Sequence, residues 1–92
     1  EYNVRLTYYI GSDKKAVIDK LKSDVNNAVR SYNEWQTEKI GRDVNPSYLI
    51  RKIMETGIKR VEVESPVYTV TSESSIPIVN SVNVVYGGLE DD

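Results

Sequence analysis

Along the first ten residues the chain alternates. Tyr2, Val4, Leu6, Tyr8 and Ile10 fall on one side of a two-residue period, and Asn3, Arg5, Thr7 and Tyr9 on the other. Successive strand side chains point to opposite faces, so the pattern predicts a strand over 2–10 with one buried face. Gly11-Ser12-Asp13 interrupts it, and Ser12 or Asp13 is suited to cap a following helix. From 13 to 37 the apolar spacing changes to three and four. Val17, Leu21, Val25, Ala28, Tyr32 and Trp35 form a stripe that Ile18 and Val29 widen. That spacing predicts one long amphipathic helix. The interleaved Lys14, Lys15, Lys20, Lys22, Arg30, Asp19, Asp24 and Glu34 read as its solvated side.

Residues 40–44 read as an extended connector. Asn45-Pro46 then places a capping side chain before a proline at the first helical position, where its missing N–H costs nothing. Leu49, Ile50, Ile53 and Met54 make a second, shorter stripe. Gly57 is suited to a left-handed C-terminal cap, with Ile58 folding back on the last turn. Alternation resumes over 58–64, with Val61 and Val63 inward and Arg60, Glu62 and Glu64 outward, and Pro66 stops it. Segments 67–71 and 76–79 are expected to form a small edge hairpin around a serine-rich turn, Pro77 favouring an edge position. Val82, Val84 and Tyr86 mark a last strand ended by Gly87-Gly88, and 90–92 is expected to be an acidic tail.

The resulting order is β-α-α-β-(short hairpin)-β. Two helices packed on one face of a three- to four-stranded sheet bury all these stripes, which defines an α+β two-layer sandwich. One domain over 1–89 is expected, followed by the tail. The opposite sheet face carries Arg5, Thr7, Tyr9, Arg60, Glu62, Glu64, Asn83 and Val85, so it meets water or a partner through polar groups.

Composition narrows the function. At 92 residues the chain holds a single core and buries roughly 60–65% of its unfolded surface, so a hollowed pocket is expensive. The net charge is −2, and the last three residues supply three negatives, leaving 12 positive against 11 negative charges in the body. Such a balance gives no pull toward phosphate backbones or anionic membranes. No run approaches the ~20 apolar residues of a membrane span. Glu1 leads almost directly into a strand with no initiator Met, so a piece of a longer protein is expected.

The chemistry-bearing residue types are sparse. Cysteine and histidine are absent, which removes disulfides, thiolates, imidazole bases and the usual zinc ligands. Glu62 and Glu64 on one exposed strand face keep an edge soluble rather than share a proton. Ser12 beside Lys14 and Lys15 is explained by capping. Glu90, Asp91 and Asp92 have no calcium-loop spacing, and Gly87-Gly88 precedes no phosphate-binding helix. No catalytic, cofactor or metal site is therefore expected. Seven tyrosines and one tryptophan remain. Tyr2, Tyr8 and Tyr86 belong to the buried face, which leaves too few rings for base stacking on a neutral body. Tyr9, Trp35, Tyr48 and Tyr68 are the candidates for partial exposure at a protein interface.

The order of these pieces resembles a known family. The run Ile40-Gly41-Arg42-Asp43-Val44-Asn45-Pro46-Ser47-Tyr48-Leu49 is followed by Gly57-Ile58-Lys59-Arg60-Val61-Glu62-Val63-Glu64-Ser65-Pro66. Later come Ile76-Pro77-Ile78-Val79 and Val82-Asn83-Val84-Val85-Tyr86-Gly87-Gly88. Together they resemble the C-terminal domain of baseplate J-like proteins of contractile phage tails. The resemblance implies a structural wedge module of a phage, prophage or tailocin baseplate, assembled in the bacterial host cytoplasm and resident in the virion. Its implied partners are other wedge proteins and copies of itself, with no nucleic acid, membrane or small-molecule substrate. A small-molecule-sensing or regulatory domain of a cytoplasmic bacterial protein shares the two-helix, small-sheet plan and stands as the alternative.

Overall fold

The computed structural model describes residues 1–91. Strand β1 spans Tyr2–Gly11, a 3-10 segment follows over Ser12–Val17, and α1 runs over Ile18–Thr37. Helix α2 spans Pro46–Met54, and strands β2 and β3 span Arg60–Ser65 and Val79–Glu90. The three strands form one sheet in the order β2-β1-β3, with β2 antiparallel and β3 parallel to the central β1. A parallel neighbour requires a crossover, and the helices supply it on one face. The α+β sandwich and its β-α-α-β-β order agree with the reading of the sequence.

The core follows the parity of β1. Tyr2, Val4, Leu6, Tyr8 and Ile10 are all buried, and they cluster with Leu21, Val25, Val29 and Tyr32 of α1 and Leu49 and Ile53 of α2. The domain is elongated, 46 × 19 × 19 Å. Helix α2 has the expected punctuation. Asn45 accepts a hydrogen bond from the Ser47 N–H at 3.1 Å, Pro46 opens the first turn, and Gly57 takes φ 99 beyond the end. Ile58 is buried behind it.

Four local expectations change. The first helix does not start at 13: Ser12–Val17 is 3-10, Lys14 leaves helical φ/ψ, and neither Ser12 nor Asp13 caps with its side chain. No residue of that segment is buried, so nothing packs it into an α-helix. The hairpin over 67–71 and 76–79 does not pair with itself. Thr69 instead forms a single bridge to Val44, and Val79 belongs to β3. Gly87-Gly88 does not end the last strand, which continues to Glu90 through a register shift between Tyr8 and Tyr9. The Tyr9 ring lies where a Gly87 side chain would stand, so glycine is what lets β3 pass. Glu90 is therefore not part of a free tail; Asp92 lies outside the described residues.

One buried polar residue organises the connector between the helices. Gln36 completes the α1 stripe and has no exposed surface. Its Oε1 accepts from the Tyr32 hydroxyl at 2.9 Å and from the Asn45 N–H at 3.1 Å. Its Nε2 donates to the Asp43 carbonyl at 2.8 Å and the Arg42 carbonyl at 3.5 Å. The amide is thus satisfied on both sides, as a buried polar group must be, and residues 42–45 are fixed against α1.

Candidate interaction surface

The four aromatic candidates occupy three places. Trp35 and Tyr48 stack with ring centroids 4.1 Å apart where α1 meets α2, and Tyr32 lies behind both. The Arg42 guanidinium covers the Trp35 ring at 4.1 Å and donates to the Trp35 carbonyl. Lys52 and Arg51 approach Tyr48 at 5.6 and 5.8 Å. This half-buried pair closes the helix junction, with cations over its ring faces. Tyr9 lies on the opposite face of the sheet under Arg60, 3.8 Å from ring centroid to guanidinium. Tyr68 stands on the loop before β3 and is 59% exposed.

That loop is held from below and apolar above. Asp43 accepts from the Tyr68 hydroxyl at 2.6 Å and from the Thr71 N–H at 3.0 Å. These bonds hold the Asp43 carboxyl below the ordinary carboxylate range, the Tyr68 bond contributing most. The same bond pushes the Tyr68 phenol up, with desolvation and the Asp43 charge adding to it. Val44 and Thr69 exchange backbone hydrogen bonds at 2.8 and 3.1 Å, and the Gly41 N–H donates to the Ser75 carbonyl. Gln36 fixes the connector and the connector fixes the loop. On the outside, Val67, Val70 and Ile78 are 68, 78 and 60% exposed. Exposed apolar side chains thus stand on a backbone that is tethered to the connector.

The chemistry of the remaining surface is thin. Among the described residues, no group of three or more Asp or Glu side chains is placed to hold a metal ion. No helix there is long and apolar enough to cross a membrane. A groove of about 400 Å³ runs between α1 and β3, floored by Val29, Val79, Val82 and Val84 and flanked by Arg30 and Glu34. It is a shallow apolar furrow, not a chamber of converging ionisable groups.

Sequence reading missed Gln36, Asp43 and the exposed valines of the loop. A glutamine at the next step of the Leu21-Val25-Val29-Tyr32 stripe was the one local signal for Gln36. Asp43 and Thr71 are 28 positions apart, and no local pattern joins them.

Fold and surface together describe a small α+β module with apolar side chains exposed on the loop before β3. The chain matches the family model of the baseplate J-like protein C-terminal domain over residues 2–85. It belongs to that family, a structural component of phage tail baseplates. Comparison with curated proteins gives no significant match.

Proposed function

We propose that this domain is a protein–protein contact module of a contractile tail baseplate, joining neighbouring wedge proteins during assembly. The family match across nearly the whole domain carries the reading. The loop before β3 supports it, since its apolar side chains face outward from a backbone that Gln36 and Asp43 tether. The mechanism is shape and many weak contacts repeated around a ring, so no residue acts on a substrate. The aromatic candidates divide accordingly. Tyr68 lies within the contact loop, Trp35 and Tyr48 brace the helix junction behind it, and Tyr9 serves the outer sheet face.

The test is co-purification with proteins encoded beside this gene, and antibody labelling of assembled particles in the electron microscope. Label at the distal end of the tail is expected. Val70→Asp and Ile78→Asp are expected to weaken capture of the neighbouring protein while the circular dichroism spectrum stays unchanged. Particles that carry no label, or capture that is indifferent to both substitutions, count against the reading.

A further inference from the structure

The groove between α1 and β3 runs beside a strand edge that the domain does not fill. Among the described residues no strand pairs with β3 on the side away from β1. Nor does α1 reach over it: Val82 is on the helical side of the sheet and is still 51% exposed. Proteins blunt open edges with charge or proline. Strand β3 has neither from Val79 to Leu89, so its backbone groups are free to pair with an added strand.

The rim of the groove specifies what that strand carries. Tyr2 pairs with Val79 in the sheet and donates to Asn33 of α1, whereas Lys22 of α1 lies 4.4 Å from the Tyr86 ring centroid. Helix α1 therefore runs antiparallel to β3, with Glu34 toward the Val79 end and Arg30 one turn nearer the Tyr86 end. Both line the groove, and neither side chain makes an ion pair or hydrogen bond among the described residues. Four helical residues rise about 6 Å, and two strand residues about 7 Å. An extended segment beside β3 thus sets an acid against Arg30 and a base against Glu34 from positions two apart on one face. Beyond them, over Val84, the same face meets apolar floor.

This pattern excludes a second copy as the occupant. The helix-side residues of its edge strands are Val61 and Val63 on β2 and Val82, Val84 and Tyr86 on β3, none of them charged. Either strand would leave Arg30 and Glu34 unanswered.

We infer that β3 accepts a strand from a different protein, whose helix-facing side chains run apolar, acidic, basic from the Tyr86 end to the Val79 end. This adds a second contact surface and does not rest on the loop before β3. Calorimetric titration of the domain with two capped peptides tests it. Val-Thr-Val-Thr-Glu-Thr-Lys fits antiparallel addition, and its reversed sequence fits parallel addition. One of the two is expected to bind and to slow hydrogen exchange of the β3 amides. Methylating one alternate set of its backbone nitrogens should abolish binding, as strand pairing requires, and methylating the other set should not. The double variant Arg30→Glu, Glu34→Lys should prefer the peptide with glutamate and lysine exchanged by about tenfold, a switch that an unfolded variant cannot give. Val70→Asp, on the loop, should leave binding unchanged. The inference is overturned if neither peptide binds, or if both methylated sets bind as well as the parent. It is equally overturned if the double variant keeps the original preference.

Discussion

The two faces of the sheet share one backbone and divide its side chains by parity, yet they are held by different forces. On the helical face Val4, Leu6 and Ile10 are wholly or almost wholly removed from water. Two tyrosines there have paired hydroxyls: Tyr2 donates to Asn33 at 2.7 Å and Tyr32 to Gln36 at 2.9 Å. On the outer face the contacts are cross-strand and wet. Arg60 on β2 covers Tyr9 on β1 and forks to Glu90 on β3 at 2.7 and 2.8 Å, while reaching Glu62 at 2.9 Å. Arg5 pairs with Glu64 at 3.4 Å, and Asn3 accepts from Asn80 and Ser81. The burial face supplies most of the stability, because removing apolar side chains from water outweighs exposed ion pairs. The outer face adds polar contacts that join all three strands.

The sharpest way to break this comparison is on the dry side. Leu6→Ala is expected to cost about 2–5 kcal/mol, the usual penalty for emptying a buried leucine site, measured by urea unfolding. A loss no larger than that of an outer-face variant would erase the distinction. Next comes Gln36→Leu, which strands the Asn45 N–H and the Asp43 carbonyl. At about 1–3 kcal/mol for such unsatisfied groups, it also frees the loop, so the Val44 and Thr69 amides should exchange faster. Unchanged protection there would separate the loop from the connector. Gly87→Ala is the strongest outer-face change, because its methyl group overlaps the Tyr9 ring. Overpacking of this kind costs about 1–3 kcal/mol, and the double variant with Tyr9→Ala should recover most of it. Arg5→Ala, at an exposed pair, should stay within about 0.5 kcal/mol of wild type.

Acidity separates the buried tyrosines from the exposed carboxylates by sign. Burial pushes the Tyr2 phenol from its ordinary 10.0 up to about 12, and Tyr32 moves the same way, chiefly through burial. The unfolded chain then gives up these protons more readily. Their stabilisation is complete below pH 10 and is lost as pH rises through the folded values. Asp43 and Glu90 are shifted down, chiefly by hydrogen bonds from Tyr68 and Arg60 respectively. Their contribution is present above the ordinary carboxylate range and is lost as pH falls through the folded values. Thermal melts across pH should show a steep alkaline limb and a shallow acid one, since exposed carboxylates are screened by solvent. Asp43→Asn should flatten the acid limb further, and an acid slope indifferent to that change would remove Asp43 from it.

Where alternation or stripe spacing met a matching partner close in the chain, the sequence was legible. The parity of β1 placed its five core residues, and Asn45, Pro46 and Gly57 marked both ends of α2. The misses have a common cause. The loop at 67–75 looks like a hairpin arm because Val67, Thr69 and Thr71 alternate, but its backbone partners lie at Gly41, Asp43 and Val44. Ser12–Val17 continues the charged pattern of α1 but buries nothing, so helical periodicity alone could not hold it. Gly87 looked like a strand end because glycine usually weakens strands, whereas here it makes room for a ring 78 positions earlier. Of the interface candidates, the exposure of Tyr68 was legible. The covering of Trp35 by Arg42 and of Tyr9 by Arg60 was not, since both depend on tertiary packing.

The parallel pairing of β1 with β3 also governs when the sheet can exist at all. Tyr2 finds Val79, and Gly11 finds Glu90, so the central strand must wait for residues made almost eighty positions later. Such distant partners slow folding, because the closure entropy is lost before the contacts form. While the nascent chain is still emerging, Val4, Leu6 and Ile10 have only α1, α2 and β2 for shelter. A pause in translation just before residue 79 would therefore leave one margin of the central strand open to chaperones or to other chains.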